Sequence, residues 1–405
     1  MPGTSTAGLS LVIGRCGGGQ ALATVQGVTG PQLSESDVHQ SAAADATVPI
    51  PVGGVEWLLS RGSQELIVCE VGGGVRRYTV GGVDVLDGYE RGELPPGCRG
   101  QILAPWCNRV RDGSYRFDGA DLQLDISEPK TNCALHGLFR WLPVIVTGRG
   151  SDWIEVHGIV HARAGYPFTV ELDTRWSLTD DGLRVTHTAR NLGPTAAPFS
   201  LATHCYLSTA GGVEAGTLHV PAATYLPTDE RLLPLPAQPV AGTRQDFRTG
   251  HLFGDLVLDT AYTDLQRGPD GLVRASVTGP DGRGGQVWAD GAFDWLQVYS
   301  SDTQHGDRFR HAFAVEPMTA PADAFNSGTD LVVIEPAGRW TGTWGIRPLG
   351  HAMADPAARA AFLAEELLST QTEDDRVDPG DRAAQRLAAD ADERLTREVP
   401  PHHGG

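Results

Sequence analysis

A chain of 405 residues with 40% hydrophobic content is long enough to bury a sizeable core, as one large β domain or two ordinary domains. Its 32 Lys+Arg against 50 Asp+Glu leave a net charge of −18, which argues against nucleic acid or an anionic membrane surface as partner. The same balance argues more weakly against a strongly anionic substrate, since a local basic pocket can override the global sign.

Residues 1–50 are rich in Gly, Ser, Thr and Ala with few large apolar side chains, and are expected to be disordered. The run Gly17-Gly18-Gly19 has no following Lys-Ser/Thr and no strand–helix context, so it does not read as a phosphate loop. No basic region followed by a sustained apolar stretch opens the chain, and no run of about 18 apolar residues occurs in it; the expectation is a cytoplasmic protein without a membrane span.

From Val55 to about Pro348 the pattern is strand after strand, punctuated by many of the 51 glycines and 27 prolines. Val170, Leu172, Thr174, Trp176 and Leu178 alternate with Glu171, Asp173, Arg175 and Ser177, the period of a half-buried strand. Asp180-Asp181-Gly182 makes a turn, and Leu183, Val185, His187 and Ala189 alternate on the return, which predicts a hairpin. Similar runs lie at 65–71, 121–126, 153–160, 272–278, 295–300 and 331–335. No helical pattern separates them, so an all-β, large antiparallel sandwich is expected rather than a parallel sheet with crossover helices.

The last segment changes character. Asp355-Pro356 reads as a helix start, with Phe362, Leu363 and Leu367 on one face. After Asp378-Pro379-Gly380, residues Ala384, Leu387, Ala388, Ala391 and Leu395 recur at helical spacing. Residues 350–405 are therefore expected to form an acidic helical tail beyond a domain at 51–349, either solvated or serving as a partner-binding or dimer-forming surface.

Six cysteines (Cys16, Cys69, Cys98, Cys107, Cys133 and Cys205) are scattered without a C-x-x-C pair, which favours reduced buried thiols over a metal or redox site. Two titratable residues interrupt apolar strands: His204 in Phe199-Ser-Leu-Ala-Thr-His-Cys-Tyr, and Glu316 between Phe313-Ala-Val and Pro317-Met318. Buried groups of this kind are costly unless used or satisfied, and burial moves their proton affinity. Arg109 in Pro105-Trp-Cys-Asn-Arg and His136 in Asn132-Cys-Ala-Leu-His-Gly stand out similarly. Taken singly, each is as well read as a hydrogen-bonded core residue or an ion-pair partner, and residue patterning alone selects no substrate.

Their order and context resemble the aldose 1-epimerase (galactose mutarotase-like) family over roughly residues 53–348. Leu103-Ala-Pro-Trp-Cys-Asn-Arg-Val followed by Asp112-Gly-Ser-Tyr-Arg-Phe-Asp-Gly resembles the family's Asn-Arg segment and trailing hairpin. Leu135-His136-Gly137 resembles its first histidine motif, His204-Cys205-Tyr206 its second, and Leu258-Asp259-Thr260 its substrate-binding aspartate. Leu296-Gln297-Val298-Tyr299 is similar to the strand whose glutamine faces the sugar. Val315-Glu316-Pro317-Met318-Thr319, with Asp323-Ala-Phe-Asn326 after it, is similar to the segment of the catalytic glutamate. Tyr206 is followed by Leu207-Ser208 where many members carry Phe-Asn-Leu, and Cys205 stands where proline is frequent; the identity of the sugar is left open by these departures.

The resemblance implies a galactose mutarotase-like supersandwich that interconverts the anomers of a free aldose without metal or organic cofactor. It implies Glu316 as base and His204 as acid, an ionised carboxylate opposite a protonated imidazole near neutrality. Arg109 and His136 would donate to the anomeric and neighbouring oxygens, Asp259 and Gln297 would fix ring hydroxyls, and Asn108 and Tyr206 would support them. The implied partner is a small-molecule sugar, with a homodimer left open. The alternatives are an epimerase of a hexose 6-phosphate, for which Arg111 and Arg140 are the candidate phosphate ligands, and a non-catalytic sugar-binding module.

Overall fold

The computed structural model describes residues 51–353; the N-terminal segment and the tail expected to be helical lie outside it. Within the described residues the chain is nearly all strand, with one four-residue α-helix at Ala324–Ser327, and the strand pairs are antiparallel. The all-β class and the antiparallel sandwich read from the alternation are what the chain forms.

The predicted hairpin lies in the interior of the larger sheet. Val170–Thr179 pairs with Gly182–Asn191 across a two-residue loop, and Val170, Leu172, Thr174, Trp176 and Leu178 all point inward. Arg339–Leu349 adds to the hairpin's second strand, and Gly284–Ala289 and Val273–Thr278 continue the sheet on that side. Ile145–Arg149 and Trp153–Val160 extend it on the other, within a nine-stranded whole.

A second sheet of eight strands runs through Ala222–Leu226, Asp259–Leu265, Trp295–Tyr299 and Ala312–Met318, with Ala202–Thr203, Tyr206–Ser208 and Ile102–Leu103 at the far side. One continuous apolar core joins the sheets, containing Trp176, Val185, Trp344 and Ile346 from the first and Leu296, Val298, Phe313 and Val315 from the second. Side chains of that size each contribute roughly 1.5–3 kcal/mol when fully buried. A four-stranded sheet made by Glu56–Arg61, Gln64–Cys69, Val75–Val80 and Val83–Asp84 precedes both in the chain.

Ala312–Met318 is buried at every position. Alternation sends Phe313 and Val315 into the inter-sheet core and Ala312, Ala314, Glu316 and Met318 to the opposite face. Glu316 therefore reaches a second enclosed environment on the outer side of the eight-stranded sheet, and this positions the site.

His187, which the period placed inward, shows what a satisfied core histidine looks like. Its Nε2 accepts from Trp344 Nε1 at 3.0 Å, which leaves Nδ1 to donate to Thr174 Oγ1 at 2.9 Å. Burial lowers its pKa to about 3, so the ring is neutral.

Candidate active site

Register brings the first three site residues together. Gln297 is the direct cross-strand partner of Glu316, and Ala261 is the partner of Gln297 on the next strand. Asp259 lies two residues from Ala261 and so shares its face. Ala261 and Ala314 add little bulk on this face, and the polar groups between them meet: Gln297 Nε2 donates to Asp259 Oδ1 at 2.6 Å.

The opposing wall comes from three loop segments. Arg109–Arg111 pairs with Cys133–Leu135 in a short ribbon, and at its end the His136 N–H donates to Asn108 O at 2.9 Å. Asn108 and His136 both adopt left-handed backbone, with φ of 54° and 61°. Few residues other than glycine do so, and such positions gather at functional sites. His204 follows the two-residue strand Ala202–Thr203, and its main chain is held on both sides, its N–H by Gln101 O and its carbonyl by the Gly100 N–H.

All eight sequence-predicted residues fall in one cluster. His204 Nε2 stands 3.4 Å from Glu316 Oε1, and the His136 ring meets the His204 ring edge-on at 5.5 Å between centroids. Arg109 Nη1 reaches Asp259 Oδ2 at 3.9 Å and donates to Asn108 Oδ1 at 3.3 Å. Tyr206 lies behind this front, with its ring stacked on His204 at 4.9 Å and its hydroxyl donated to Gly97 O at 2.8 Å. It supports the imidazole and directs no polar atom at the cluster. Asp259 and Glu128 are half-buried while Glu316, His204, His136 and Gln297 are buried, so solvent reaches the group from the Asp259–Glu128 side.

Two features escaped the sequence reading. Glu128 grips Arg109 with both oxygens, at 2.7 Å to Nε and 3.0 Å to Nη2, and also accepts from Thr131. Arg99 lies 4.0 Å over the Tyr206 ring and is paired with Asp87 at 2.8 Å. Both acids sit in irregular segments where no strand period singles them out.

Electrostatics differ from the expected ionised pair. Burial pushes the Glu316 carboxyl well above the ordinary range, reinforced by the charge of Asp259 and opposed by Arg109. Burial also lowers His204 to about 3, with Arg99, Arg140 and Arg109 acting in the same direction. His136 is lowered by burial and by His204 and the two arginines Arg140 and Arg109. Removing water penalises the charged form of each group, so burial favours a pair of neutral carboxyl and neutral imidazole over the ionised pair. The neutral pair carries one proton in total, the same count as carboxylate and imidazolium.

Among the described residues no group of three or more His, Cys, Asp or Glu is placed to hold a metal ion. Cys69, Cys98, Cys107, Cys133 and Cys205 are free thiols, all buried except the half-buried Cys98. No described helix is long and apolar enough to cross a membrane.

The fold is a large antiparallel β-sandwich of the galactose mutarotase-like class, with the buried Glu316–His204 pair on the outer face of its second sheet. The chain belongs to the aldose 1-epimerase family, whose pattern matches residues 56–347. It is 28% identical over 279 residues to the uncharacterized protein YihR of Escherichia coli (strain K12), across 68% of this chain and 88% of that one. It is 29% identical over 161 residues to the galactose mutarotase of Homo sapiens, which spans 37% of this chain and 45% of the human protein. The solved galactose 1-epimerase of Lactobacillus acidophilus NCFM shares the fold, with a TM-score of 0.62 at 18% identity over 73% of this chain and 95% of that one.

Proposed function

We propose that the protein catalyses anomer exchange of an aldose, with Glu316 and His204 as its proton-transfer pair. The observation that carries this reading is their 3.4 Å approach within a buried cluster that also holds Arg109, His136, Asp259 and Gln297. In the reacting state, with the pair's shared proton carried by His204, Glu316 takes the proton of the C1 hydroxyl and His204 gives its proton to the ring oxygen. The C1–O5 bond breaks as the C1 carbonyl forms. Glu316 is then protonated and His204 neutral, which is the state that burial favours. After the aldehyde end rotates, Glu316 returns its proton to the carbonyl oxygen and His204 takes the O5 proton as the ring closes on the other face.

Arg109 and His136 donate to the oxygens on which charge develops, and Asp259 with Gln297 orients the ring hydroxyls. Polarimetry of freshly dissolved α-glucose and α-galactose tests the reading. Glu316→Gln is expected to remove general acid–base assistance worth roughly 10²–10⁴-fold while the fold survives. Near-wild-type rates in that variant would overturn the assignment.

A second reading, an epimerase of a phosphorylated hexose, is favoured by one observation. Arg111 is held by Asp323 at 3.3 Å, whereas Arg140 has no carboxylate partner among the described residues and lies close enough to both histidines to lower their proton affinity. Its bonds go to Cys98 Sγ and Leu135 O. Free and phosphorylated aldoses compared in one exchange-NMR panel separate the two: a preference for the phosphorylated sugars that Arg140→Met abolishes selects the second.

A further inference from the structure

His204 lacks the usual means of holding a working imidazole. Such rings are commonly oriented by a hydrogen bond at the nitrogen that faces away from the chemistry. Among the described residues, the buried Nδ1 of His204 has no hydrogen-bond partner on another residue. What covers the ring is a stack. Tyr206 lies parallel to it, 7° between planes and 4.9 Å between centroids, and the Arg99 guanidinium lies over the Tyr206 ring, 4.0 Å from its centre.

We propose that Arg99 is a positioning residue for His204: clamped by Asp87, its guanidinium backs the Tyr206 ring, which fixes the plane from which Nε2 faces Glu316. The inference rests on the reading of His204 as the acid of the pair.

Arg99 is 1% exposed, and burying a guanidinium is costly where an aliphatic side chain would fill the same space. Its carboxylate partner is tied to the segment that carries His204. Nε and Nη2 donate to Asp87 Oδ2 at 3.1 and 2.8 Å, and the Asp87 N–H donates to Tyr206 O at 2.9 Å. Nη1 donates to Pro96 O and Gln304 Oε1, which pins the guanidinium plane. The adjoining residues bracket the same segment: Gly97 O accepts the Tyr206 hydroxyl, the Gly100 N–H donates to His204 O, and Gln101 O accepts the His204 N–H. A planar cation that stacks and forks at once is what arginine supplies and lysine does not.

The charged and titratable groups around His204 are Glu316 on the neighbouring strand, His136 and Arg140 from the loop after Cys133–Leu135, Arg109, and Arg99 over Tyr206. Arg99 lowers the proton affinity of His204. Arg99→Lys keeps that positive charge and removes the plane, so it separates positioning from electrostatics.

The test compares wild type, Arg99→Lys and Tyr206→Leu in two measurements. One is the imidazole NMR signal of His204 in the free protein, assigned by its loss in His204→Gln. The other is kcat and KM for mutarotation. The Arg99→Lys signal is expected to leave its wild-type position, and kcat to fall about 10- to 100-fold through misorientation with KM little changed. A folded Arg99→Lys protein with the wild-type His204 signal overturns the proposal. Should Arg99→Lys fail to fold, Tyr206→Leu, which removes the ring that both Arg99 and His204 contact, must displace the same signal, and an unmoved signal there overturns it equally. The NMR comparison needs no turnover, so an inactive wild-type protein would count against the proposed reaction and not against the stack.

Discussion

Asp259 accepts the Gln297 amide at 2.6 Å through one carboxylate oxygen and turns the other toward Arg109, 3.9 Å away. The carboxylate is thus fixed from two sides while remaining partly exposed, as the proposed contact with a sugar hydroxyl requires. Its charge also raises the proton affinity of Glu316. Asp259→Asn removes that charge, so Glu316 gives up its proton at lower pH. The limb of the pH–rate profile that reports Glu316 should move toward acid, and KM should rise through the lost orientation of the ring. Polarimetry across pH checks both, and an unmoved limb would show that Asp259 does not act on Glu316.

Glu128 holds the Arg109 fork with two short bonds and is itself tied by Thr131. Without it, Arg109 keeps only Asn108 and the longer approach to Asp259. Hydrogen bonds to charged groups contribute about 1.5–3 kcal/mol, so Glu128→Gln is expected to lower kcat/KM by roughly 10- to 100-fold. Glu155→Gln is the matched control. Glu155 pairs with Arg175 at 3.2 Å between two partly exposed side chains, and pairs open to solvent contribute little. Steady-state kinetics with equal losses in the two variants would remove the special role of Glu128.

The buried histidines set a direction for stability against pH. An unfolded histidine binds a proton below about pH 6.5, whereas His187 and His204 in the fold do so only near 3. The unfolded state therefore takes up protons first, and stability is lost as pH falls through that window. Each such group contributes a slope of about 1.4 kcal/mol per pH unit. Glu316 works in the opposite direction: its raised pKa makes stability decline as pH rises through it. His187→Asn should flatten the acid slope between pH 6 and 4, as read by urea unfolding, and an unchanged slope would mean that His187 is protonated in the fold.

How far the sequence carried differs between strand and loop. The alternation at Val170–Thr179 and Gly182–Asn191 was visible because each strand buries one face against the core and leaves the other in a more open environment, and period two then prints itself on the residue types. Glu316 was visible for the converse reason, a carboxylate in a strand buried on both faces. Ile102–Leu103 and Ala202–Thr203 are too short for any period to register, although they pair with each other and the second carries the chain to His204. Glu128 and Arg99 were hidden because their roles depend on partners brought from elsewhere in the chain into irregular segments. Arg111 went the other way: plausible as a phosphate ligand from its position, it is held by Asp323, which donates its own N–H to Arg109 O.

The tightest constraint on the site lies in a residue with no side chain. Gly100 has φ of +66°, and a Cβ there would lie 1.7 Å from Val75 O, a backbone atom that cannot move aside without breaking the strand Val75–Val80. Its carbonyl accepts from the Val75 N–H at 3.0 Å and its N–H donates to His204 O at 2.8 Å, so it is the bridge between that strand and the acid of the proposed pair. Gly119, with φ of +79°, has nothing within 4 Å of its own virtual Cβ and measures the backbone penalty alone. That penalty is about 1–2 kcal/mol for an L-residue in the left-handed region. Gly119→Ala should therefore lower stability by about that amount and leave kinetics intact. Gly100→Ala must also displace the chain, so its loss should exceed that of Gly119→Ala by at least about 2 kcal/mol, and kcat should fall with it as His204 leaves the reach of Glu316. Thermal melts and polarimetry on the two variants decide the matter: equal melting shifts, or full activity in a folded Gly100→Ala protein, would break the link between this glycine and the site.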